Sequence, residues 1–255
     1  MTLTELTVVI AAMAVLAVLT VPAVRALLHS FESGSSTRAM ISATLASARA
    51  LAAREQSYVG IRFQTAYDPD GPLKAPQYMI FIIHEEPRNM GNVRDGFRAM
   101  EGLKPVKLPD SVGVMDWSMI EAAQAAAEPA VWEPGSLEEV TDLTAFSIVF
   151  SPSGKLVIHD VRVRNKDGYT TDSSNDEVFN TANNVTNAAN PVGMFIQDDY
   201  GELGLEEEAS GNSFIIYDRG RFERAYKKGQ GYSGYLAEVG PTYVNPYMGT
   251  LISTE

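Results

Sequence analysis

The chain has 255 residues, 45% hydrophobic and 20% charged, enough to bury a core and too apolar for a disordered protein. Its 32 acidic and 20 basic residues give a net charge of −12, which argues against broad attraction to nucleic acid or anionic lipid; a nucleic-acid partner needs a local basic patch. Cysteine is absent, which excludes disulfides, thiolate catalysis and sulfur-ligated metals, and the histidines His29, His84 and His159 are scattered along the sequence and match no zinc motif or catalytic triad.

The chain opens MTLTELTVVIAAMAVLAVLTVPAV. Residues 6–24 carry no charge, close to the length of about 20 that a helix needs to cross a bilayer core. Glu5 stands at the edge of this run, and a carboxylate in mid-bilayer costs ~2.5–3.5 kcal/mol on insertion scales, so it marks a partner or a function. No Lys or Arg precedes the run and the first basic residue is Arg25, unlike a secretory signal or an ordinary anchor. The missing flank predicts a mature product whose basic leader was removed before Met1.

Past Arg25 the sequence turns amphipathic, with Ala39, Ile41, Leu45, Ala48, Leu51 and Ala52 at three- and four-residue spacings and Ser42, Ser47, Arg49 and Arg54 between them. The economical reading is one helix from about Thr2 to Gln56, roughly 80 Å long, whose first half protrudes. This places a helical region at 1–56 (1–24 membrane or filament-core half, 25–56 amphipathic half) and a globular region at 57–255. Pro22 predicts a kink, and Gly34 with its neighbouring serines a second weak point.

After Tyr58 the pattern changes to period two. Residues 58–63, 78–84, 145–150, 155–164, 194–197 and 213–218 read as strands of a mostly antiparallel sheet, and Met119 to Ala127 as a short helix ending before Pro129. Residues 165–191 form a polar loop, Glu202 and Glu206 to Glu208 an acidic patch, and the Tyr-rich tail an irregular segment. The fold class expected is α+β, with a long protruding N-terminal helix packed on an antiparallel β-sheet head.

The start of the chain resembles the mature N-terminus of type IV pilins and type II secretion pseudopilins: a short apolar and Thr lead, Glu at the fifth position, an unbroken apolar run and Pro22. Met1 stands where that family carries an N-methylated Phe. The segments ARALAAREQSYVGIRF and FSIVFSPSGKLVI further resemble the helix-to-strand junction and F-x-P-x-G hairpin of the H-type pseudopilin branch. The likeness covers about the first 63 residues and implies a filament subunit processed by prepilin peptidase. It gives Met1, Glu5 and Pro22 assembly roles, with the Glu5 carboxylate paired to the α-amino group at Met1 of an adjacent subunit. Breaking such a buried pair costs ~3–5 kcal/mol.

Three other features carry ionisable or oxygen-donor side chains. Arg219, Arg221, Arg224, Lys227 and Lys228, interleaved with Tyr217, Phe222 and Tyr226, have the composition of a nucleic-acid-binding cluster. As a strand, Arg219, Arg221 and Glu223 would share a face and pair with Glu206 to Glu208 of a neighbour, so nucleic acid is the less favoured partner. Asp172-Ser-Ser-Asn-Asp176 is not an EF-hand, because Glu177 occupies the glycine position; it reads as a solvated loop, and no metal ligand set is assigned. The pairs Asp198–Asp199 and Glu85–Glu86 point to opposite faces in a strand and form no catalytic dyad.

These readings predict a non-enzymatic filament subunit with no cofactor. It forms a helical homo-oligomer, is held in the inner membrane before assembly, and reaches an extracellular or periplasmic filament with the help of assembly machinery. Its alternative is a low-copy tip or priming subunit of a secretion or DNA-uptake system.

Overall fold

The computed structural model describes residues 36–65, 70–85, 96–100, 102–162 and 207–253. Helix α1 over 36–55 leads directly into strand β1 (Val59–Thr65). It ends where Gln56 adopts a left-handed φ of 51° and returns its side-chain amide to the Ala53 carbonyl at 2.6 Å.

Sheet 1 is antiparallel and built on β1. One side continues to β2 (Gln77–Glu85) and β3 (Gly96–Ala99), with β4 (Val106–Lys107) also on β2; the other continues to β6 (Phe146–Phe150) and β7 (Leu156–Val157). Sheet 2 runs in the order β12 (Leu251–Ser253), β11 (Thr242–Val244), β10 (Ser213–Asp218), β5 (Val112–Asp116). A two-stranded ribbon of β8 (Asp160–Arg162) and β9 (Glu207–Ala209) forms a third sheet that packs beside β3.

Every residue of β1 is buried, because both faces of sheet 1 are covered. Period two sends Val59, Ile61 and Phe63 to one face, where they meet Ile41, Leu45, Ala48 and Ala52 of α1 together with Val114, Phe214 and Val244 of sheet 2. The helix therefore lies against both sheets. The other face carries Ile80, Ile82, Phe97 and Val149, against which Val161 of β8 packs. It also carries Arg62, fully buried, whose Nε donates to Gln64 Oε1 at 2.7 Å and Nη1 to Ser147 Oγ at 3.2 Å.

The outer face of sheet 2 presents Met115, Ile215 and Tyr217 to three short helices: α2 (Trp117–Ala127), α3 (Leu137–Thr144) and α4 (Arg219–Tyr226). Each starts on a side-chain cap, Asp116 on Ser118 N, Ser136 on Glu139 N and Asp218 on Arg221 N. Gly113 is required beside them, since a Cβ there would lie 2.3 Å from Tyr217 Cζ.

The expected fold class needs correction. Among the described residues no helix is long and apolar enough to cross a membrane, and these residues form a mixed fold of four α-helices with two main antiparallel sheets rather than a long protruding helix on one sheet. The physical reason is coverage: α1 is amphipathic over 36–55 and spends its apolar side on both sheets, while sheet 2 has a second apolar face that needs its own helices.

Local readings fare unevenly. Strands near 58–63, 78–84, 145–150 and 213–218 form. Residues 155–164 divide between two sheets, β7 and β8, instead of forming one strand. Residues 219–226 are helical rather than extended, and the tail supplies β11 and β12 instead of remaining irregular. The strand expected at 194–197 and the loop at 165–191 lie outside the described residues.

Candidate functional site

Met1, Glu5 and Pro22 lie outside the described residues, so the closest described part of the predicted assembly region is α1. That helix has two distinct long faces. Ile41, Leu45, Ala48 and Ala52 are buried, whereas Ala39, Ala43, Ala46, Ala50 and Ala53 form an exposed row spaced alternately four and three residues apart. Ala39, read from sequence as part of the core stripe, belongs to the exposed row.

The position of α1 is set by the F-x-P-x-G segment. Phe150 to Gly154 turns β6 into β7, with Ser151 N donating to Lys155 O at 2.8 Å and Gly154 N to Ser151 O at 2.7 Å. Gly154 has φ +74°, which only glycine adopts without strain, and its carbonyl accepts Arg49 Nε from α1 at 2.9 Å. The motif thus works as a socket for the helix.

The basic cluster on α4 is largely committed to its own fold. Arg219 Nη2 reaches the carbonyls of Leu73 at 2.9 Å and Ala75 at 2.5 Å, tying the 70–75 turn to the start of the helix. Arg221 lies 4.7 Å from the Tyr235 ring centroid. Lys227 Nζ bonds Glu223 Oε1 at 2.7 Å, and this hydrogen bond holds the Glu223 carboxyl below the ordinary carboxylate range. Arg224 and Lys228 are exposed. Phe222 and Tyr217 are buried, and burial pushes the Tyr217 phenol up to about 12. Neither ring is presented for base stacking. The pairing of Arg219 and Arg221 with Glu206 to Glu208 of a neighbouring subunit involves side chains outside those described.

A groove of about 430 Å³ opens beside α2, walled by Met119, Ala122, Phe146, Ile158 and Gly211. Among its described lining residues the carboxylate is Asp116, whose Oδ1 accepts from Ser118 N at 2.8 Å and Ser118 Oγ at 2.5 Å as the cap of α2.

Sequence reasoning missed one constellation entirely. His84 and His159, read as unpaired, sit with ring centroids 5.4 Å apart, bracketed by Tyr58 at 4.6 Å from His159 and Phe97 at 5.2 Å from His84 and 5.3 Å from His159. Their backbones are tightly held. His84 N donates to Tyr58 O at 2.9 Å, and the His84 carbonyl accepts Ser57 Oγ at 2.9 Å. His159 N donates to the buried Ser210 Oγ at 2.9 Å, which in turn donates to Val157 O at 3.0 Å. Because β2 and the β7–β8 junction are distant in sequence, no local spacing announces this meeting.

Comparison with protein-family models, with curated protein sequences and with solved structures finds no match for this chain.

Proposed function

We propose that the chain is a structural, non-enzymatic subunit of a type IV pilus-like or pseudopilus filament. It is held in the inner membrane before assembly, processed by a prepilin peptidase, and displayed in an extracellular or periplasmic filament. The reading draws on the sequence resemblance around Glu5 and Pro22. The observation that carries it is the exposed alanine row of α1.

Alanines at alternating four- and three-residue steps repeat at the period of a helix–helix seam. Small side chains let two backbones approach closely, so that packing contacts accumulate where bulky residues would hold the helices apart. Such a row is of little use to the isolated subunit, whose core lies on the opposite side of the helix. In a filament it becomes the surface that neighbouring N-terminal regions cover, with the Glu5 carboxylate neutralised by the α-amino group of an adjacent copy. Work for extraction from the membrane comes from a separate ATPase, since the sequence contains no phosphate-binding loop.

The test is electron microscopy of sheared surface filaments with N-terminal sequencing of the subunit. Filaments containing a processed, methylated Met1 are expected. An unmethylated initiator Met1 on a chain retained in the membrane, with no filament containing it, would refute the reading. Glu5→Ala and the double variant Ala46→Leu/Ala50→Leu are each expected to accumulate as folded subunits that fail to incorporate; normal incorporation of both removes the helix-seam mechanism.

A further inference from the structure

We propose that His84 and His159 form a two-imidazole site for a divalent transition-metal ion of the class that prefers nitrogen ligands, Cu²⁺, Zn²⁺ or Ni²⁺. The inference is independent of the filament reading. It rests on spacing, tautomer and support.

With metal–nitrogen bonds of about 2.0–2.1 Å, two imidazoles sharing one ion have ring centroids roughly 4.5–5.5 Å apart. The observed separation is 5.4 Å, inside that range, with the ring planes 57° apart.

The tautomer of His159 follows from its partner. Its Nδ1 lies 2.7 Å from the Asp160 carbonyl oxygen, which can only accept, so Nδ1 carries the hydrogen and Nε2 keeps its lone pair. Hydrogen-bonded support at the non-ligating nitrogen is the usual arrangement behind a metal-binding histidine, because it fixes the ring and raises the basicity of the ligating nitrogen.

The site is also held on both sides. Tyr58 and Phe97 restrict the rings, and the Ser57, Tyr58 and Ser210 hydrogen bonds fix the two backbones. Binding therefore orders few new groups. Both histidines are half-buried rather than sealed, which leaves a route for the ion and for water to complete its coordination. Two nitrogen ligands do not suit Mg²⁺ or Ca²⁺, which require oxygen donors. Among the imidazole-binding ions Cu²⁺ binds most tightly on the general stability order, and it is the best probe.

The experiment titrates the full chain in detergent with Cu²⁺ at neutral pH, following calorimetry and electron paramagnetic resonance. One tight equivalent with coupling to two nitrogens is expected, at least tenfold weaker in His84→Gln and in His159→Gln and unchanged in His29→Gln. Acidification to about pH 5 is expected to release the ion as protons compete for the imidazoles. Should either variant fail to fold, the wild-type chain supplies the decision, because substoichiometric Cu²⁺ must broaden the side-chain resonances of His84 and His159 together. Broadening at His29 or at carboxylates alone, or wild-type affinity no tighter than that of a folded His84→Gln/His159→Gln variant, overturns the proposal and leaves the cluster as aromatic packing.

Discussion

Helices α1 and α4 both present polar or small residues outward, yet they differ in what that outward face has left to offer. On α4 the cations that dominate the sequence are mostly occupied: Arg219 by backbone carbonyls, Arg221 by the Tyr235 ring and Lys227 by Glu223. On α1 the core is fully satisfied by one face, and the exposed alanine row has no described function in the folded subunit. A conspicuous charge cluster is therefore largely structural, while an inconspicuous row of methyl groups is the better candidate for an assembly surface.

The sharpest way to break this contrast is to treat the two faces of α1 differently. Leu45→Ala, which empties a fully buried position, is expected to cost ~2–5 kcal/mol in urea unfolding. The exposed pair Ala46→Leu/Ala50→Leu is expected to stay within ~0.5 kcal/mol, as surface substitutions do. Equal losses would mean that the alanine row is already buried against something.

The committed character of the α4 region predicts an alkaline weakness. Tyr217 has a phenol raised to about 12 by burial, so the folded protein holds that proton where the unfolded chain releases it. Stability from this group is complete below the ordinary tyrosine pKa near 10 and falls as pH rises towards 12, by about 3 kcal/mol in all. Tyr217→Phe is expected to remove that slope from the dependence of denaturation on pH. A smaller effect, about 2 kcal/mol, is expected for Arg219→Met, which leaves the Leu73 and Ala75 carbonyls without their charged donor.

The smallest effect is local. Lys227→Met should return the Glu223 carboxyl of this surface pair towards the usual glutamate range, measured by NMR titration, with no detectable change in melting. In the intact protein the depressed pKa means that whatever this pair contributes is present above the ordinary glutamate range and lost on acidification through the lowered value.

Several elements were legible because their cause is local. Residues 58–63 and 213–218 are rich in β-branched and aromatic residues and become β1 and β10, and the F-x-P-x-G turn forms because glycine alone tolerates its left-handed position. The misreadings have equally concrete causes. The segment after Asp218, considered as a continuing strand, is helical because Asp218 caps it, Arg221, Glu223, Arg224 and Ala225 favour helix, and Glu223 pairs with Lys227 one turn on. Helix α3 carried an unread signal of the same kind, Ser136 followed three residues later by Glu139. Strand 155–164 reads as continuous because its pattern does not record that His159 is drawn aside by Ser210.

By itself the sequence determined the charged break at Glu5, the amphipathic stretch that becomes α1, the main strands of sheet 1 and the glycine turn beneath Arg49. Each depends on side-chain spacing or on a backbone angle set within a few residues. Tertiary structure alone decided which alanines face water, which arginines are already spoken for, and that His84 meets His159. Those properties belong to pairs of segments far apart in the chain, and their contacts exist only once strand order and register have brought the segments together.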